Sequence, residues 1–140
     1  MKKYAVVLML CTSFGAVSAY AEKVQINKNI DSVLKQCAAN AQTTMDSSEC
    51  YIQATQSWDA ELNKQYKLLI DEQPETSRTP LKESQRAWIK YKESYFKAID
   101  AFYQKEQGTV WSIIAAESKM NVIRDKAIDL NRLLNSTDLS

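Results

Sequence analysis

The chain has 140 residues, with 18 lysines and arginines against 17 aspartates and glutamates, three cysteines, two glycines and no histidine. A near-neutral balance offers no general electrostatic pull on nucleic acid. The missing histidine removes Ser-His-Asp and Cys-His catalysis, histidine acid/base chemistry and the HExxH type of zinc site.

The first segment reads as an export signal. Lys2 and Lys3 form a basic start, Tyr4 to Leu10 is an unbroken apolar run, and Ala19-Tyr20-Ala21 supplies small residues at a cleavage site. Met1 to Ala21 is therefore expected to be removed. The alternative is a lipid-bearing Cys11, disfavoured because Leu10 is too large for the preceding position. Cleavage leaves one domain, residues 22–140, with 16 basic against 17 acidic side chains. The expected location is the periplasm or the exterior. No later run approaches the ~20 apolar residues of a membrane span. Cys37 and Cys50 remain, and one disulfide is their simplest arrangement in an oxidising compartment, two buried thiols being the alternative.

Glycine is nearly absent and no β-type alternation occurs, so the chain is expected to be helical throughout. A short first helix is expected from about Ile30 to Ala41, on the spacing of Ile30, Val33, Leu34 and Cys37. Thr43 to Ser48 reads as a loop, with Asp46 or Ser47 as N-cap of a second helix running from near Ser48 to Glu72. Tyr51, Trp58, Leu62, Tyr66 and Leu69 form its apolar stripe. Pro74 ends it, and Glu75 to Arg78 reads as a polar turn.

Thr79 and Pro80 are read as N-cap and N1 of the third helix, whose stripe includes Leu81, Trp88, Tyr91, Tyr95 and Phe102. Gly108 is read as a terminator and Thr109 as a new N-cap. Ile113, Met120, Ile123, Ala127, Leu130 and Leu134 line the fourth helix. The whole predicts an all-α fold: a small antiparallel bundle of one short and three long helices with one disulfide. Trp58, Trp88 and Tyr91 are expected in its core.

The carboxylates read as solvated helix charges, so no catalytic residue, cofactor or metal site is assigned. Asp59 and Glu61 lie two apart on a helix and point to different faces. Polar residues that periodicity does not demand stand among these stripes, Asp59 and Asn63 beside Leu62 and Tyr66 in one block, and Gln85, Arg86 and Lys92 beside Leu81, Trp88 and Tyr91 in another. With Cys37 and Cys50, the Gly108-Thr109 turn and Arg124, this pattern resembles the N-terminal domain of the lysozyme inhibitor LprI family, from about Cys37 to Ile128. Two departures stand out. Lys92 replaces an arginine of the pattern, and a second cysteine pair expected near Phe96 and Ala116 is missing at both ends.

Asp59, Asn63, Tyr66, Gln85, Arg86, Lys92 and Arg124 admit two readings, a recognition patch or an interhelical network that sets register. The network is favoured, because buried polar groups must be paired. The resemblance implies an exported inhibitor of lysozyme or of a related wall-degrading hydrolase. A periplasmic immunity or adaptor protein with another protein partner is the alternative, and the oligomeric state stays open. Trp111 on a helix-initiating turn, and the acidic Asp71, Glu72 and Glu75, are the expected partner contacts.

Overall fold

The computed structural model describes residue 26 and residues 28–136. The expected leader Met1 to Ala21, with Cys11, lies outside the described residues. Among the described residues, four helices follow in chain order: α1 (Lys28–Asn40), α2 (Thr44–Glu72), α3 (Glu75–Tyr103) and α4 (Val110–Leu134). This is the expected bundle of one short and three long helices. Among the described residues, no helix is long and apolar enough to cross a membrane.

Helix α2 starts four residues earlier than the loop reading placed it. Thr43 is the N-cap, and its hydroxyl accepts from the Asp46 amide at 3.0 Å. Asp46 is the third helical residue, and its carboxylate accepts from the Thr43 amide at 2.9 Å and the Gln42 amide at 3.1 Å. This reciprocal capping box satisfies amides that the helix itself leaves unpaired. A Thr43 side-chain hydrogen bond to the carboxylate, followed by the Gln42 and Thr43 amide bonds, holds the Asp46 carboxyl below its ordinary pKa.

The start of α3 also corrects the Thr79-Pro80 reading. The helix begins at Glu75 behind Pro74, so Glu75 to Arg78 is its first turn. The Ser77 and Arg78 amides donate to the Pro74 carbonyl at 2.9 and 3.1 Å. The Arg78 side chain donates back to the Ile70 and Gln73 carbonyls at 3.1 and 2.7 Å, closing the free end of α2. That bond couples the two helices through one residue, which turn propensity along the chain does not reveal. Pro80 then sits inside α3 and removes one ladder donor there.

The links between helices run in an ordered register. Cys37 and Cys50 are bonded with Cα atoms 5.7 Å apart, joining α1 to α2. Ser48 meets Ser112, and Gln65 meets Asn131, so α2 and α4 run parallel, side by side. Lys92 reaches Asp59, and Lys119 reaches Asp100, so α3 is antiparallel to both.

The core is centred on α2 and α4. Trp58, Leu62 and Leu69 pack with Met120, Ile123, Ala127 and Leu130, and Ile30 of α1 joins them. Helix α3 contributes the partly buried Leu81, Trp88 and Phe96 to this cluster. Tyr91 is 55 % exposed, against the expectation that it is core. Its step from Trp88 keeps it on the stripe by spacing. The α3–α4 seam is open at that level, however, and a tyrosine tolerates an exposed ring because its hydroxyl is hydrated.

Candidate functional site

The family-motif residues fall into separate groups. Asn63 Nδ2 donates to Asp59 Oδ2 at 3.2 Å on α2, and Lys92 Nζ of α3 lies 3.8 Å from Asp59 Oδ1. Lys92 also stands over the Trp88 ring, 5.4 Å from its centroid. This cluster joins α2 to α3 at mid-length. Lys92 supplies a point charge here, where a guanidinium would make a fork.

Arg124 belongs to another group. Its Nε and Nη2 donate to the two Asp31 oxygens at 3.2 and 2.8 Å, joining α4 to α1. The guanidinium lies 5.3 Å from the Trp58 ring centroid. The Asp31 hydrogen bonds raise the Arg124 pKa above its ordinary value, against a partial burial that lowers it. Tyr66 packs against the core. Gln85 is buried, whereas Arg86 one residue on is exposed. The seven motif residues are thus not one patch.

A buried polar chain lies elsewhere, joining Glu61 to Gln65 and Asn131, two residues that the sequence reading does not single out. Gln65 Nε2 donates to Glu61 Oε1 at 2.6 Å, and Asn131 Nδ2 donates to Gln65 Oε1 at 3.1 Å. Glu61, Gln65 and Asn131 are all at most 8 % exposed. Glu61 therefore departs from the surface-charge reading of the carboxylates. A signal was present: Gln65 falls between Leu62 and Leu69 on the apolar stripe of α2, where periodicity asks for a hydrophobe.

The expected partner contacts stand at opposite ends of α3. Asp71, Glu72 and Glu75 are exposed at the α2–α3 hairpin. Asp71 accepts from Lys67 at 2.9 Å, and Glu75 lies 3.7 Å from Arg78. Trp111 opens α4, across the α3–α4 hairpin. Its indole N–H donates to the Gln107 carbonyl at 3.1 Å, and its ring stacks on Tyr103 with centroids 5.8 Å apart. Both its polar tip and one ring face are engaged within the chain. The 29 residues of α3 separate the two ends by roughly 40 Å at ~1.5 Å per residue.

The α3–α4 seam holds without the second cysteine pair of the resemblance. Lys119 of α4 pairs with Asp100 of α3 and stands over the Phe96 ring, 5.7 Å from its centroid. Below the Tyr103–Trp111 stack, Gly108 turns the chain with φ of +111°, a conformation costly for residues with a Cβ. Thr109 caps α4 by position, but its side chain makes no cap bond. The Ser112 hydroxyl donates to the Thr109 carbonyl at 2.7 Å. Farther along the seam, Trp88, Tyr91 and Tyr95 of α3 face Ser118, Asn121, Val122, Asp125, Lys126 and Asp129 of α4 across an open groove of about 590 Å³.

These features define a class: a small all-α bundle, stapled by one disulfide, with polar bridges between helices and an aromatic groove open to solvent. The family model for the lysozyme inhibitor LprI matches residues 35–130, well over half of the chain, and the protein belongs to that family. The match spans the disulfide, the whole of α2 and α3, and most of α4. A solved structure of an uncharacterized protein from Burkholderia thailandensis is similar, with a TM-score of 0.74 and 25% sequence identity over 81% of this chain. The chain spans 57% of that protein's length. Among curated proteins, no significant match is found.

Proposed function

We infer that this protein binds and inhibits a lysozyme-type, wall-degrading hydrolase outside the cytoplasm. The observation that carries the reading is the family match across residues 35–130. A disulfide between Cys37 and Cys50 suits an oxidising compartment, where such hydrolases act. A helical bundle needs no reactive group for this task, because occluding a cleft requires only a complementary surface.

The hairpin end carries the exposed Asp71, Glu72 and Glu75, of which Glu72 is in no ion pair of the described residues while Asp71 and Glu75 are paired with Lys67 and Arg78. Such charge speeds encounter with a basic enzyme. A standard interface of ~800 Å² per partner does not reach from this end to Trp111. The hairpin is therefore the better contact for a cationic enzyme, and Trp111 serves to set the α3–α4 turn.

A lysozyme lysis assay with the purified, disulfide-intact protein tests the reading. Inhibition should saturate near one inhibitor per enzyme. Asp71→Asn with Glu72→Gln should weaken it more than Lys90→Ala or Lys97→Ala. Full lysozyme activity at high molar excess of the protein would reject the inhibitor reading and favour an immunity or adaptor role with another partner.

A further inference from the structure

The groove between α3 and α4 has two chemically different walls. Tyr91 and Tyr95 lie one turn apart on α3, 55 % and 43 % exposed, with their rings stacked at a centroid separation of 5.4 Å and an interplanar angle of 14°. Trp88 extends the same wall, its ring already carrying the Lys92 ammonium on one face. The tyrosine stack covers the face each ring turns to the other and leaves the outer faces and edges open to solvent. The facing wall is a row on α4 at steps of four: Asn121, Asp125 and Asp129.

The neighbouring cations are already engaged. Lys126 holds Asp129 at 3.1 Å, Arg124 holds Asp31, and Lys92 holds Asp59. Asp125 is exposed and makes no close ion pair among the described residues, its charge being felt only through space by the adjacent Arg124, whose fork is held by Asp31. An anionic oxygen therefore stands across from exposed aromatic faces, in a groove wide enough for a side chain.

That juxtaposition selects a guanidinium. Its plane stacks on tyrosine faces, whose quadrupole attracts a cation, while its fork donates to a carboxylate. A lysine ammonium would gain the charge attraction without the stack. We propose that the Trp88-Tyr91-Tyr95 and Asp125 groove takes an arginine-bearing segment of a cationic protein partner. The identity of that partner as a lysozyme-type enzyme rests on the inhibitor reading above; the arginine selectivity rests on the groove itself.

The test has two measurements on the purified, disulfide-intact protein. The first is lysozyme inhibition by wild type, by Tyr91→Ala with Tyr95→Ala, and by Asp125→Arg. Each groove variant should raise the inhibition constant by about tenfold or more, and Asp125→Arg should also flatten the dependence on salt. These side chains are exposed, so melting temperatures should stay close to wild type and exclude misfolding as the cause. Inhibition by wild type and both variants within twofold of one another would overturn the groove while leaving the inhibitor function intact. The second measurement is amide chemical-shift mapping with a tri-arginine peptide and a tri-glutamate peptide. Shifts confined to the groove with tri-arginine alone support the proposal even if lysozyme proves not to be the target. No shift with tri-arginine overturns it. A dimer in sedimentation that the double tyrosine variant dissociates would assign the groove to a second copy of the chain and also overturn the proposal.

Discussion

Arg124 grips both oxygens of Asp31, 93 residues away in the chain, while its guanidinium covers the ring of Trp58. The pair ties the short helix α1 to α4 at a point the disulfide does not reach. Trp58 is fully buried, and its indole N–H has no hydrogen-bond partner among the described residues. The cation over its face is therefore a main polar interaction of this ring. Arg124→Ala should lower stability by about 1–2 kcal/mol, the pair being partly exposed and so screened. Arg124→Lys should recover less than half, because an ammonium cannot make the fork. Urea unfolding of both variants and of Asp31→Asn, combined as a double-mutant cycle, checks the coupling. Equal stability of Arg124→Lys and wild type would show that the fork contributes nothing.

The Cys37–Cys50 bridge closes a 13-residue separation between α1 and α2. Replacing both cysteines by serine should cost about 3 kcal/mol on the chain-entropy relation. The circular dichroism helix signal should persist, since the α2–α4 core does not depend on the bridge. Thiol titration of the unfolded, unreduced protein should find neither Cys37 nor Cys50 free.

Gln65 sits between Glu61 and Asn131 and bonds to both, so it links α2 to α4 within the core. Gln65→Leu should cost about 1–3 kcal/mol, as it leaves the buried Asn131 amide without this acceptor. The pair Gln65→Leu with Asn131→Leu should recover only the part of that loss due to the stranded amide, because Glu61 still loses its Gln65 donor. Thermal melts of the single and double variants decide the matter. A double variant that loses the sum of the single effects would show no coupling.

The Asp46 carboxylate caps α2 and titrates below its ordinary value near 3.8. A carboxyl whose pKa is lower folded than unfolded adds stability at pH above the unfolded value. That contribution fades as pH falls through the lower, folded value. The first turn of α2 should thus stay protected at pH 5 and fray on acidification below about 3.8. Hydrogen exchange at the Asp46 and Ser47 amides should follow this course. Thr43→Ala removes the largest cause of the shift, so it should return the Asp46 titration toward the ordinary value and cost about 1 kcal/mol.

Sequence alone determined the class of the fold, because helical spacing, scarce glycine and Pro74 are local properties. The apolar steps through Trp58 and Leu62, and through Ile123, Ala127 and Leu130, predicted the two core stripes. The cysteine count predicted the bridge, and the motif blocks pointed to the family. Helix starts were less legible. Thr43 and Asp46 cap α2 together, and Pro74 competes with Thr79-Pro80 as the start of α3. Choosing between such starts requires knowing that Arg78 folds back onto the carbonyls of Ile70 and Gln73. Which motif residues meet was decided by tertiary structure, since Arg124 pairs with Asp31 and Lys92 with Asp59 only after helices distant in the chain have docked. The exposure of Tyr91 was decided the same way: periodicity places a residue on a face, but only the gap between α3 and α4 determines whether that face meets a neighbour or water.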